Sequence, residues 1–187
     1  MGRNEKGISE INKFREYILM IFVTVGTHEQ QFDRLVRYMD EYANKYKEDV
    51  VIQFGYSSYK CKYATAINFL SMDEMNKYID KADVVITHGG PSSFLSVIQK
   101  DKKVIVVPRL EKFGEHVNNH QADFLKKISY KFKGMLFPVF DIEDLAEVIN
   151  NLKNNQISLS DTDQKTTRHN SEFNERLQKI VSDLMEE

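Results

Sequence analysis

Ala82-Asp83-Val84-Val85-Ile86-Thr87-His88-Gly89-Gly90-Pro91-Ser92-Ser93 is the stretch that decides the fold of this chain. The apolar, β-branched run over 82–87 reads as a buried strand, and the residues from His88 to Ser92 as the turn after it. A helix is expected from Ser93 to Gln99. Pro91 suits a first helical turn, where its missing N–H has no partner to lose. Gly89 and Gly90 let backbone approach a ligand without a Cβ in the way. The free N–H groups of a helix start, with the helix dipole, favour an anion, and the Ser92 and Ser93 hydroxyls add donors. A diphosphate fits that description; so does a plain tight turn with a capped helix. His88 fits equally as a donor to phosphate, as a platform under a sugar, or as a satisfied turn residue.

The same rhythm of short apolar runs and amphipathic stretches continues outward in both directions. Strands are expected at 21–25, 50–54, 64–70, 104–107 and 134–139. From Phe32 the spacing turns helical, with Leu35, Val36, Met39, Tyr42 and Ala43 on one face. Further helices are expected at 73–81, 117–128 and 142–152. Strands alternating with helices imply right-handed crossovers. The predicted fold is therefore α/β, a Rossmann-like parallel sheet with helices on both faces. The domain is placed at 20–153, after an N-terminal extension over 1–19. Residues 154–187 read as a polar linker and a C-terminal amphipathic helix bearing Phe173, Leu177, Ile180, Val181 and Leu184. In the extension, Ile8, Ile11, Phe14, Ile18 and Leu19 lie near helical spacing. That suits a short helix for a membrane surface or partner, or an extension with little function.

Bulk properties narrow the class. The chain has 187 residues, 41% hydrophobic and 29% charged, enough for one domain with a real core. A formal net charge of -2 argues against a nucleic-acid partner, which calls for a basic excess. The single cysteine, Cys61, can build neither a disulfide framework nor a cysteine zinc site, so a cytoplasmic protein with a spectator thiol is expected. No apolar run approaches the roughly 20 residues of a membrane span, and the polar start shows no signal-peptide core.

In parallel sheets of this kind, ligands bind beyond the carboxyl ends of the strands. That rule selects two more loops. After the first strand, Gly26, Thr27, His28 and Glu29 offer a turn, a hydroxyl and an imidazole, with His28 a candidate acid or base. After the fifth come Arg109 and then Glu115, His116, His120 and Gln121. A carboxylate such as Glu115 accepts paired sugar hydroxyls, and Gln121 both donates and accepts. His116 and His120 stand four apart, as zinc-binding histidines on a helix do, but the His-Glu-x-x-His pattern is absent and no metal is expected.

Taken in order, these clusters resemble a known family. The segments from Val23 to Gln30, from Thr87 to Ser93, and from Val106 through Arg109 and Glu115 to Gln121 look like the glycosyltransferase family 28 C-terminal domain. The likeness covers 20–152 and is strongest to the small catalytic subunits of bacterial exopolysaccharide and capsule galactosyltransferases. The resemblance implies the C-terminal half of a GT-B fold split over two chains. This chain would bind a UDP-sugar donor, and a membrane-anchored partner would supply the lipid-linked saccharide acceptor. It also implies recruitment by that partner to the inner face of the membrane, and inverting, metal-independent transfer of a hexose, galactose being favoured. No cofactor is implied, since the UDP-sugar is a substrate. On the matching motifs, His88, Gly89, Gly90 and Ser92 fall on the diphosphate, Glu115 and Gln121 on the ribose and donor sugar, and Thr27 and His28 on the cleft. The helix after the Gly-Gly turn departs from the pattern. Ser96 stands where related domains often carry a ribose-binding glutamate, and Glu115 is expected to take that role.

Two other readings remain. A non-catalytic nucleotide-sugar-binding module would assist a partner enzyme. A nicotinamide-dependent enzyme is disfavoured because no Gly-x-Gly-x-x-Gly follows the first strand.

Overall fold

A computed structural model describes residues 19–160. Six strands form one sheet: β1 (Met20–Thr24), β2 (Asp49–Gln53), β3 (Thr65–Ile67), β4 (Val84–His88), β5 (Val104–Val107) and β6 (Leu136–Pro138). Their order is β3-β2-β1-β4-β5-β6, and every pairing is parallel. The expected Rossmann-like α/β fold is the one found.

Alternation along each strand divides the core. Ile21, Val23, Val50, Ile52, Val84, Ile86 and Ile105 face α1 (Asp33–Tyr46) and α5 (Leu145–Ser160). Phe22, Val51, Val85, Val104 and Val106 face α2 (Met72–Lys81), α3 (Pro91–Ile98) and α4 (His120–Ile128). Helix α1 buries Leu35, Val36, Met39, Tyr42 and Ala43, the stripe that the spacing predicted. Each large apolar side chain so buried is worth about 1.5–3 kcal/mol. Helix α2 starts on a capping box: the Ser71 hydroxyl accepts from Glu74 N–H, and the Glu74 carboxylate accepts from Ser71 N–H. At its far end Lys102 Nζ donates to the carbonyls of Ile79, Asp80 and Ala82, which suits the negative pole of the helix.

Several boundaries differ from expectation. Strand β3 covers three residues rather than the seven over 64–70. Its approach is diverted, because the N–H groups of Lys62, Tyr63 and Ala64 donate to the buried Asp40 carboxylate instead of joining a ladder. Helix α4 starts at His120 rather than 117, since Glu115 and His116 turn inward ahead of it. The polar stretch at 154–160, expected to be linker, continues α5. The expected helices at 8–19 and 173–184 lie outside the described residues, apart from Leu19. No described helix is long and apolar enough to cross a membrane.

Candidate functional site

The strand order reverses direction between β1 and β4, and at such a switch point the loops part to leave a crevice at the carboxyl edge. The loops after β1, β4 and β5 meet there. Beneath them a polar row crosses the sheet in register: Gln53, Thr24 and Thr87 stand side by side on β2, β1 and β4. The Thr24 hydroxyl donates to Gln53 Oε1 at 2.7 Å. The same carboxamide accepts from Gly26 N–H at 3.2 Å and donates to Gly26 C=O at 3.1 Å. Gln53 thus fixes the turn after β1, a role that sequence reading missed. Polar residues at matching strand ends were the available signal, but only the register aligns them.

Gly26 adopts φ +76°. A Cβ there would lie 2.4 Å from His88 Cε1, and one on Gly90 would lie 2.4 Å from His88 Nε2. The His88 ring is therefore a wedge between two turns that only hydrogen side chains leave open. Gly89 approaches Gln121 in the same way, with its notional Cβ 2.9 Å from Gln121 Cβ. Gly90 caps α3 without a side-chain hydrogen bond, Pro91 follows at the first position, and Ser92 is exposed. Ser93 N–H turns back to Gly90 C=O, and the Ser96 hydroxyl to Ser93 C=O. The start of α3 is open to solvent, with no acidic residue in its first turn.

Three expected ligand-binding residues have other work. Glu115 is fully buried; its carboxylate accepts from Arg34 Nε at 2.8 Å, Arg34 Nη2 at 2.9 Å and Leu110 N–H at 2.9 Å. It has no edge left for sugar hydroxyls. The reason is Arg34 on α1, 81 positions away, whose position against Glu115 no local pattern reveals. Arg109, 1% exposed, donates to the carbonyls of Val25, Gln30, Gln31 and Glu115 and lies over the Phe32 ring at 4.8 Å. Burial lowers its pKa to about 10, against the pull of Glu115, so it stays charged near neutrality. It ties the loop after β1 to the loop after β5 rather than offering its guanidinium to a ligand. Gln121 is buried, and its Oε1 accepts from Arg109 N–H at 3.1 Å.

The histidines converge. His28 and His116 have ring centroids 4.9 Å apart, and His116 and His120 4.4 Å apart. His28 Nδ1 accepts from Gln30 N–H at 3.2 Å, while the His120 ring contacts the Asn118 side chain. His88 Nδ1 and His116 Nδ1 are buried without partners. Burial above all, then Arg109 and His28, lowers the His88 pKa to about 4. His116 is also lowered, by burial first and then by His120, His28 and Arg109. Thr27 is exposed on the same rim. Among the described residues no group of three or more His, Cys, Asp or Glu side chains is arranged to hold a metal. Cys61 is half-buried, and burial raises its pKa to about 11, as suits a spectator.

Comparison with known proteins adds the family. One relative is the UDP-N-acetylglucosamine transferase subunit ALG13 of Candida albicans, 28% identical over 91 residues. The match takes in 48% of this chain and 28% of that protein. Among solved structures, the glycotransferase of kitacinnamycin superposes with a TM-score of 0.55 at 14% identity, over 100% of this chain and 46% of the other. At that identity the likeness speaks for the fold alone. The glycosyltransferase SnogD from Streptomyces nogalater reaches 0.45 at 14% identity, over 66% of this chain and 32% of that one, and carries no argument. Residues 20–184 match the glycosyltransferase family 28 C-terminal domain, so the chain belongs to that family.

Proposed function

We propose that this chain is the donor-binding, catalytic subunit of a two-chain inverting glycosyltransferase. It moves a hexose, galactose by preference, from a UDP-sugar to a lipid-linked glycan in exopolysaccharide or capsule biosynthesis. The observation that carries this reading is the start of α3: open, without a side-chain cap, and set at the switch point beside His88. The name of the Candida relative, a subunit of a UDP-sugar transferase, supports both the donor class and the division over two chains.

Sugar transfer leaves negative charge on the departing diphosphate. The Ser92 amide, the positive end of α3 and the nearby imidazoles stabilise that charge as it grows. His28 serves here as a donor. Its Nδ1 already accepts from Gln30 N–H, so the neutral ring keeps its proton on Nε2. The base for the acceptor hydroxyl then comes from the membrane-anchored partner, which also holds the lipid-linked acceptor and recruits this chain to the inner face of the membrane. No metal or other cofactor is needed.

Calorimetry of the purified chain with UDP and UDP-sugars tests the site. UDP binds, and Ser92→Ala weakens it about 10- to 100-fold, the cost of one hydrogen bond to a charged group. Absence of heat with every uridine nucleotide refutes the proposal.

A further inference from the structure

Four of the five histidines in the chain come from three elements to one place. His28 arrives on the loop after β1, His88 at the end of β4, and His116 and His120 at the entrance to α4. His116 is 9% exposed, and its Nδ1, like that of His88, is buried without a partner. Structural histidines are ordinarily satisfied by a carbonyl or a carboxylate. Among the described residues no carboxylate hydrogen-bonds to any of these four rings, and the polar groups that bear on His88 and His116 are the Thr24 backbone and the Asn118 side chain.

The surrounding charges explain why. Arg109, from the loop after β5, is the cation that bears on both His88 and His116. Glu115 is consumed by Arg34 of α1 and the Leu110 amide. Asp33 of α1 is engaged by Ser58 and the Tyr59 amide, and Glu111 by the Asn119 side chain. Asp123 of α4 pairs with Lys126 at 3.8 Å. Glu29 is exposed beside His28 in the chain. Helix α3 adds no acid, only its positive end. The cluster is thus a set of bases, two of them with buried, unpartnered nitrogens, next to a guanidinium and an open helix start. Protonating His88 or His116 in the free protein is opposed by burial and by neighbouring positive groups. A doubly charged anion reverses that balance.

We propose that donor binding is proton-coupled: His116, whose Nδ1 is buried without a hydrogen-bond partner, takes up a proton from solvent as the diphosphate of a nucleotide-sugar enters. The inference rests on the reading of this site as a nucleotide-sugar site. The proton adds to a ring-nitrogen lone pair, with buffer as its source, and no bond in the donor breaks. His116 is the foremost acceptor, because its Nδ1 is free and its ring touches both His28 and His120. Negative charge raises the imidazole pKa, so affinity strengthens as pH falls from above neutrality. It levels off once the free protein is itself protonated.

Isothermal calorimetry of the full-length chain with UDP-glucose, UDP-galactose and UDP-N-acetylglucosamine tests the proposal. The diphosphates of these donors carry no proton to exchange near neutrality. At about pH 7.5, in buffers of different ionisation enthalpy, the apparent enthalpies differ by the uptake of about half to one proton. The Kd tightens about 3- to 10-fold for each pH unit lowered. His116→Asn, checked for folding by circular dichroism, reduces that uptake. Equal enthalpies in all buffers with a flat Kd, or net proton release, overturn the proposal and leave the nucleotide-sugar reading standing. Undiminished uptake in His116→Asn overturns the assignment to this ring. Failure of every uridine nucleotide to bind at any pH removes the underlying reading and the proposal together.

Discussion

His88 shows how one side chain can hold a site open. Its ring fills the space that Cβ atoms on Gly26 and Gly90 would occupy, so the two turns keep their separation only around an imidazole. Gly90→Ala forces the ring or the turn to move. It is expected to cost about 1–3 kcal/mol, the range for overpacking, and to weaken UDP binding; thermal melts and calorimetry that both match wild type would dismiss the wedge. Glu115→Ala separates two interpretations of one residue. A carboxylate that served ribose would lose affinity and leave the melt alone. The buried partner of Arg34 loses about 3 kcal/mol of stability instead, measured by denaturant unfolding. The Gly-Gly-Pro-Ser turn was legible because glycine and proline report on backbone directly. The buried partners of Glu115 and Arg109 were not legible, because a charged residue on a loop looks the same from sequence whether it faces a ligand or a distant part of the chain.

Among the elements, α1 does the least expected work. Asp40 sits within its buried face, where its carboxylate accepts from the amides of Lys62, Tyr63 and Ala64 and from the Tyr59 hydroxyl. One helix residue thereby organises the loop that leads into β3. Burial pushes the Asp40 pKa up, but those donors outweigh it and the net shift is downward. A carboxyl whose folded pKa lies below its unfolded value, about 3.9, contributes stability above that value. The contribution is lost as pH falls through the unfolded value toward the folded one. Denaturant unfolding below about pH 5 should therefore show wild type losing stability faster than Asp40→Asn. The variant starts about 2 kcal/mol lower at neutral pH, having given up its charged hydrogen bonds. Parallel pH profiles would mean that Asp40 does not hold the loop. Helix α1 was visible from its apolar stripe, but the late start of β3 was not, because the competitor for the amides ahead of it lies on another element.

At the scale of the molecule, the described residues form one parallel sheet, and the proposed donor site lies at its carboxyl edge. Holding two reactants in place supplies much of a transfer rate, so on the proposed two-chain reading this chain alone should bind donor without turning over. The expected outcome is donor binding by this chain alone, with transfer to a lipid-linked acceptor rising at least about 100-fold when the acceptor subunit is added. A radiolabelled transfer assay measures it, and full activity of the isolated chain would contradict the two-chain reading. What the sequence alone determined was the periodicity: alternating apolar runs and amphipathic helices specify a parallel sheet, and the glycine turn after β4 marks its carboxyl edge. Periodicity is local, carried by neighbours two to four residues apart. Which polar residues stay free for a ligand was decided only by tertiary structure. A buried charge is satisfied by whichever partner the fold brings beside it, and Arg34 reaches Glu115 across 81 positions of chain.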